Sequence, residues 1–310
     1  LKNKKILFTG GAGFLCSHVV KKLLDRGVPR KNITIPRSKD CDLRVWENCK
    51  KAVAGQNIVI HLAANSGSIA YNIKNPGELF FNNIIMNTHI IEASRQVGVE
   101  KLQTVSAICS YPKFAPVPFR EVDYWNGHVE ETNAAYGLAK KMLTVQTLAY
   151  QQQYGFNGSC VIVANLYGPG DDFNPERSHV IPAMIKKVAD AKAGGKKYIE
   201  MWGTGIARRD FFYVEDAAEG IVLATEKYHK PDLVNVGSGK EISVKKLIQL
   251  ICKIMDFRGE IRWDPTKPDG QLRRNMDVSK AKKEFGFKAK TDFETGLKKT
   301  IDWYLKNRLK

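Results

Sequence analysis

The sequence predicts an α/β protein built on an open, doubly wound parallel sheet, with a smaller α/β lobe toward the C-terminus. Three observations carry this reading. Through the first half, apolar runs of strand length alternate with stretches of helical spacing, the order expected of a parallel sheet covered on both faces. The first apolar run ends in Thr9-Gly10-Gly11-Ala12-Gly13, a glycine-rich turn leading into a helix. After residue 170 the rhythm changes to loops rich in Gly, Pro and Asp between shorter elements.

Taken in order, residues 5–9 form the first strand and 16–26 the first helix. Residues 32–36 are strand two, and 56–62 a strand ending at Ala63-Ala64. Helical apolar spacing runs over 79–97, followed by a buried strand at 102–105. A long helix covers 135–154, and a strand at 160–163 opens into Asn165-Leu166-Tyr167-Gly168-Pro169-Gly170. Beyond it, 179–193 and 244–255 are helices, while 210–214 and 233–236 are strands expected to return to the main sheet. Residues 264–274 read as a basic surface loop and 293–305 as a final amphipathic helix. The expected domains are 1–165 plus about 206–236 for the sheet, and 166–205 plus 237–310 for the smaller lobe.

A chain of 310 residues can bury a large core, and 43% hydrophobic with 26% charged residues is the balance of a globular protein. No apolar run reaches the roughly eighteen residues of a membrane span. The short N-terminal apolar run passes directly into the glycine turn, unlike a signal peptide. The six cysteines form no Cys-x-x-Cys pair, and neither they nor the six histidines have metal-site spacing. Free thiols, no metal and a cytoplasmic location are therefore expected. The net charge of +17 suits either polyphosphate ligands or a solvated lysine-rich surface. The lysines are scattered, with no basic stripe interleaved with aromatics, so nucleic acid is not an expected partner.

Gly10, Gly11 and Gly13 give the tight turn and close backbone approach that bring a pyrophosphate to a helix N-terminus. The pattern's third glycine is replaced by Cys16, whose simplest reading is a buried apolar thiol. Strand two ends in Ile35-Pro36-Arg37-Ser38-Lys39 without an acidic residue, which favours NADP over NAD, with Arg37 at the extra phosphate. On helix 135–154, Tyr136 and Lys140 share one face. A protonated lysine there is expected to lower the phenol's pKa toward working pH.

These residues resemble the extended short-chain dehydrogenase/reductases, and among them the GDP-L-fucose synthases. The likeness spans nearly the whole chain. It includes Cys109-Ser110-Tyr111-Pro112-Lys113, Tyr136-Gly137-Leu138-Ala139-Lys140, Asn165-Leu166-Tyr167-Gly168-Pro169 and Ser178-His179-Val180-Ile181-Pro182. Met201-Trp202-Gly203-Thr204-Gly205 with Arg209, Val236-Gly237-Ser238-Gly239 and Lys267-Pro268-Asp269-Gly270 extend it. Cys109 together with the Ser178–Pro182 motif is its more specific part.

The resemblance implies a Rossmann-type sheet and a homodimer formed through helices 79–97 and 135–154. It implies NADP-dependent 3,5-epimerisation and 4-reduction of a GDP-4-keto-6-deoxy-hexose of the mannose type to GDP-L-fucose. Cys109 and His179 match the acid/base pair, Tyr136 the proton donor to the C4 oxygen, and Lys140 the holder of the nicotinamide ribose. Cofactor contacts are expected from Gly10, Gly11, Ala12, Gly13, Phe14 and Leu15, from Arg37, Asp42 and Leu43, and from Leu62, Ala63 and Ala64. Tyr136, Lys140 and His179 complete them. Asn165, Lys187, Trp202 and Arg209 would contact the substrate nucleotide, a planar guanidinium being suited to a diphosphate. Simpler readings stand beside these: a buried thiol for Cys109, a helix-terminal residue for His179, a core aromatic for Trp202, a solvated helix face for Lys187 and a loop charge for Lys113.

Three positions depart from the family pattern. Ala107 stands where the family has a serine or threonine that donates to the C4 oxygen. Ser106 could replace it only if the strand end is irregular, because alternate strand residues face opposite sides. Asn65-Ser66-Gly67-Ser68 replaces a Val-Gly-Gly sequence, and Cys16 the glycine. Loss of one oxyanion donor typically costs on the order of 10²–10³ in rate, so slow reduction is expected. The alternatives are a related GDP-sugar epimerase or reductase, one acting on a GDP-keto-deoxy-heptose for instance, or a catalytically weak NADP-binding relative. His179 argues against the plant-type GDP-mannose 3,5-epimerases, which use lysine there, and Ile108 with Cys109 argues against a 4,6-dehydratase.

Overall fold

The computed structural model describes residues 1–11, 13–267 and 269–308. Its first half alternates as the apolar pattern requires. The elements are β1 (Ile6–Thr9), α1 (Phe14–Asp25), β2 (Ile33–Thr34), α2 (Trp46–Val53), β3 (Ile58–His61), α3 (Ile69–Lys74), α4 (Pro76–Gln96), β4 (Lys101–Ala107), α5 (Ala134–Tyr154) and β5 (Gly158–Val163). β1, β3 and β5 are buried along their whole lengths, which explains continuous apolar runs in place of alternation. The later elements are β6 (Asn165–Tyr167), α6 (Val180–Ala193), β7 (Tyr198–Trp202), β8 (Arg208–Tyr213), α7 (Val214–Lys227), β9 (Leu233–Val236), β10 (Glu241–Ser243), α8 (Val244–Ile254), β11 (Glu260–Asp264), β12 (Arg273–Arg274), α9 (Ser279–Phe285) and α10 (Phe293–Asn307).

Six strands make the main sheet in the order β2-β1-β3-β4-β5-β9, every pair parallel. The order reverses between β1 and β3, so a ligand crevice opens above the carboxyl ends of those strands. One face packs α1, α7 and α9 through Val19, Leu23, Ala217 and Ile221. The other packs α2, α4 and α5 through Cys49, Ile90, Ile91 and Leu143. A separate core, containing Ile185, Met201, Phe211, Leu247 and Ile301, fills the smaller lobe. Side-chain caps set the starts of two of its helices: Ser243 accepts from the Lys246 amide at α8, and Asp292 from Thr295 at α10.

The strand over 233–236 joins the main sheet as expected, but the one over 210–214 does not. β8 lies between β10 and β12 and also pairs with β6, in the smaller lobe's sheet. Its inner residue Asp210 is fully buried and accepts from the amides of Ser238 and Gly239, tying the Val236–Gly239 turn to that sheet. Burial pushes the Asp210 carboxyl up to about 6. The expected loop at 264–274 holds over 265–267 and 269–272, but its ends are corrected: Asp264 closes β11, and Arg273 and Arg274 pair with Arg208 and Arg209. Charged strands facing a polar cleft carry no apolar signal, so periodicity cannot find them.

Candidate functional site

The glycine turn is shaped by contact. Gly10 has φ +75°, and a Cβ there would lie 2.8 Å from the Ala63 nitrogen. At Gly11 a Cβ would fall 1.7 Å from Ile35 Cγ2. Gly13 caps α1, whose first turn contains no acidic residue, so helix dipole and free amides are left to an anion. Phe14 and Leu15 open α1, while Leu62, half-buried, Ala63, buried, and Ala64, exposed, follow β3 across the crevice. Ala12 lies outside the described residues. Cys16 is buried in the α1 packing face, its thiol pushed up to about 12 by burial, so the cysteine fits as an apolar filler. Arg37 is exposed past β2, and Asp42 forms an ion pair with Arg44 at 2.7 Å. Leu43 is buried, and its carbonyl accepts from the Cys49 thiol at 3.2 Å. The glycine turn, the acid-free helix start and the exposed Arg37 fit a dinucleotide with a ribose phosphate.

Behind this crevice runs a buried polar chain. Thr9 Oγ1 meets His61 Nδ1 at 2.7 Å, His61 Nε2 meets Asn87 Oδ1 at 2.9 Å, and Asn87 Nδ2 donates to the Ala139 carbonyl at 3.4 Å. It links the strand bearing the glycine turn to the helix bearing Tyr136. Burial holds the His61 imidazole down to about 4, neutral at ordinary pH.

Tyr136, Lys140 and Cys109 meet at the start of α5. Gly137 makes this possible: a Cβ there would lie 2.7 Å from the Cys109 carbonyl, so the helix touches the 108–110 turn backbone to side chain-free backbone. The Cys109 thiol is close enough to raise the Tyr136 phenol further, after burial has done most of it. Lys140 Nζ lies 5.8 Å from the Tyr136 ring centre and donates to the Val105 carbonyl at 3.0 Å. Burial brings Lys140 down to about 8. The expected lowering of the Tyr136 pKa by Lys140 is therefore corrected: desolvation dominates and the phenol sits above its ordinary value. Burial also raises Cys109, with Arg274 and then Lys140 acting against it.

Ala107 ends β4 beside this cluster, and its carbonyl accepts from Ser110 Oγ at 2.6 Å. Ser106 is buried on the opposite side. Its hydroxyl lies 3.0 Å from Ser110 Oγ, 3.3 Å from the Tyr124 hydroxyl and 3.3 Å from the Lys140 carbonyl. The strand is regular to residue 107, so Ser106 and Ala107 face opposite sides of the sheet. Ser68 has a different use from a cleft residue: it caps α3 and donates to the Glu176 carbonyl at 2.7 Å. That bond ties the start of α3 to the loop that leads into His179.

His179 is the N-cap residue of α6, with no side-chain cap bond. It is reached by solvent yet walled by protein, and desolvation lowers its imidazole while Asp172 opposes that shift. Asn165 Nδ2 donates to the Asp210 carbonyl at 3.0 Å. Lys187 Nζ donates to the Glu200 carbonyl at 2.6 Å, at the edge of β7. Trp202 is 61% exposed, which removes the core reading, and Lys267 Nζ stands 5.9 Å from its ring centre. Lys113 pairs with Glu131 at 2.8 Å.

Arg209 is half-buried, its Nη2 donating to the Asp269 carbonyl at 3.4 Å. Burial and the neighbouring Arg274 bring it to about 10, still a cation. Arg274 is one residue of this cluster that the sequence reading missed, because a basic run in a Pro/Gly-rich segment looks like a solvated loop. Glu130, buried and 3.6 Å from Arg274, was missed for the converse reason: an acidic residue before a helix usually faces water.

The arrangement defines a class: a dinucleotide-fold oxidoreductase or epimerase with a Tyr/Lys pair and an adjacent thiol. The chain belongs to the NAD dependent epimerase/dehydratase family, whose sequence profile matches residues 6–237. It is 35% identical over 310 residues to GDP-L-fucose synthase 1 of Arabidopsis thaliana, covering 99% of this chain and 94% of that one. A solved GDP-L-fucose synthetase from Naegleria fowleri bound to NADP superposes with a TM-score of 0.87 at 28% identity, over 100% of this chain and 96% of that one. A GDP-6-OMe-4-keto-L-xylo-heptose reductase from C. jejuni shares the fold with a TM-score of 0.91 at 24% identity, covering 99% of each chain. Among the described residues, no helix is long and apolar enough to cross a membrane, and no cluster of His, Cys, Asp or Glu could hold a metal.

Proposed function

We propose that this chain is an NADP-dependent 3,5-epimerase/4-reductase that converts a GDP-4-keto-6-deoxy-hexose of the mannose type to GDP-L-fucose. The contact at Gly137 is the main support, since it packs the backbone of Cys109 against the helix bearing Tyr136, whose phenol feels the Cys109 thiol. A carbonyl at C4 acidifies the protons at C3 and C5. Cys109 and His179 remove and return those protons on opposite faces, through an enolate at each step. Tyr136 then gives its proton to the C4 oxygen, and its raised pKa keeps that proton in place until the oxygen becomes basic. NADPH, when bound, supplies the hydride. Lys140 holds the nicotinamide ribose, and Gly10, Gly11 and Gly13 receive the pyrophosphate. Arg209 and Trp202 take the GDP moiety, with Lys187 and Asn165 beside them.

The same reading assigns 1–165 with about 206–236 to the cofactor and 166–205 with 237–310 to the GDP-sugar, except that β8 goes with the GDP-sugar lobe whose sheet it joins. It includes a homodimer through α4 and α5, supported by the exposed Phe81, Leu138 and Met142 on those helices. It also includes a cytoplasmic location, supported by six free thiols.

The test is incubation with the GDP-keto-sugar and NADPH in D₂O. Deuterium at C3 and C5 reports Cys109 and His179, and NADPH loss reports Tyr136. Absence of both events, even at high enzyme concentration, would refute the proposal.

A further inference from the structure

The buried polar chain behind the crevice contains three side chains that the chemistry above does not use: Thr9, His61 and Asn87. It begins one bond earlier than the threonine, at the Ala63 amide, which donates to Thr9 Oγ1 at 3.3 Å. It ends at the Ala139 carbonyl. Both ends lie against the site. A Cβ on Gly10 would meet the Ala63 nitrogen at 2.8 Å, so the first donor backs the glycine turn. Ala139 immediately precedes Lys140 on α5.

The two backbone ends fix the direction of every bond between them. A carbonyl only accepts, so Asn87 presents Nδ2 to Ala139. Its Oδ1 then faces His61 Nε2, and that nitrogen carries the ring proton. Burial keeps the imidazole neutral against the pull of Asn87, and the charge on Lys140 adds to burial. Nδ1 is therefore a lone pair, and the Thr9 hydroxyl donates to it. The Thr9 oxygen is left to accept from Ala63, whose amide can only donate. Each donor thus points from the crevice toward α5, with no conflict at either end. Aligned buried bonds strengthen one another, and a fully satisfied network rigidifies the elements it joins.

We propose that His61, held by Thr9 and Asn87, is a positioning residue for the reduction step: it sets the Tyr136/Lys140 helix at a fixed distance from the cofactor's seat on the glycine turn. This rests on the reading of Tyr136 and Lys140 given above. Proton exchange by Cys109 is spared. The Cys109 backbone packs on α5 at Gly137, so Cys109 and Tyr136 move together when α5 shifts, while the glycine turn stays with β1. Cutting the chain therefore misaligns C4 with the cofactor's seat and leaves the thiol in register with the sugar.

Thr9→Val removes the hydroxyl at constant shape, and Thr9→Ser restores it. With NADPH bound beforehand, single-turnover oxidation by Thr9→Val should fall at least tenfold, since a shift approaching 1 Å between reacting groups can cost on the order of 10² in rate. Deuterium uptake by the GDP-keto-sugar in D₂O should stay within about threefold of wild type, and Thr9→Ser should recover the oxidation rate to the same margin. A second readout needs neither substrate nor substitution. In intact wild-type protein labelled with ¹⁵N-histidine, the His61 ring should carry its proton on Nε2 and none on Nδ1, and adding NADP should shift both ring nitrogens. The proposal is overturned if the proton sits on Nδ1, or if NADP leaves the ring unmoved. It is equally overturned if Thr9→Val oxidises NADPH at the wild-type rate, or if exchange and oxidation fall by the same factor, as a general loss of stability would cause. Failure of the functional reading looks different: wild-type protein then neither exchanges nor oxidises, while the histidine spectrum still reports whether the chain exists and feels the cofactor.

Discussion

Substituting Gly137→Ala probes the contact on which the site depends. Alanine is the better helix former by roughly 1 kcal/mol, so propensity alone predicts a more stable protein. Against that, the new Cβ would lie 2.7 Å from the Cys109 carbonyl oxygen and 3.5 Å from Val129 Cβ. The second distance is an ordinary contact and the first is not. Its partner is backbone at the end of a buried strand, so relief requires moving α5 and the 108–110 turn apart by several tenths of an ångström. Overpacking of this kind costs about 1–3 kcal/mol, so the clash equals or exceeds the propensity gain. Function is hit harder than stability, because a displacement approaching 1 Å between reacting groups can cost on the order of 10² in rate. The expected result is an unfolding free energy from urea titration that is unchanged or lower by up to about 2 kcal/mol. NADPH oxidation and deuterium uptake at C3 and C5 should both fall by at least tenfold. The reasoning fails if the variant is more stable and both rates stay within twofold of wild type.

Ala107→Ser should raise the reduction rate at least tenfold while leaving C3 and C5 exchange within a few-fold, since one oxyanion donor is typically worth on the order of 10²–10³. An unchanged reduction rate would show that no donor is missing at 107. Arg209→Gln should raise KM for the GDP-sugar at least tenfold, with little change in kcat, because a diphosphate contact far from C4 binds ground and transition states alike. A fall confined to kcat would contradict that placement. His61 has a folded pKa of about 4, below its unfolded value near 6.5, so the unfolded chain binds more protons between those limits. Its contribution is fully present above pH 6.5 and is lost as pH falls toward 4, by on the order of 3 kcal/mol. Urea unfolding at pH 7 and pH 5 should show a loss that shrinks in His61→Gln; an equal loss in both would place the titration elsewhere.

Periodicity and punctuation placed most of the main sheet correctly, and each miss has a local cause. β2 shrinks to Ile33–Thr34 because Pro36 cannot donate to a ladder. α2 went unread because its eight residues are short and polar on most faces. α7 begins directly at the end of β8, with no loop to mark the change, so 210–214 read as one strand heading for the wrong sheet. Within the site, Tyr136 and Lys140 were legible because helical spacing alone puts them on one face. Glu130 was not, since its meaning lies in a contact from residue 130 to residue 274.

By itself, the sequence determined the doubly wound class, the glycine turn and the Tyr136/Lys140 face, all features set by neighbours within a few residues. Only the tertiary structure decided which way Ser106 points, that desolvation outweighs Lys140 at the Tyr136 phenol, and that Glu130 is buried beside Arg274. Those outcomes depend on burial and on partners distant in the chain. Desolvation and hydrogen-bond polarity are properties of a packed environment, and spacing along a chain does not encode them.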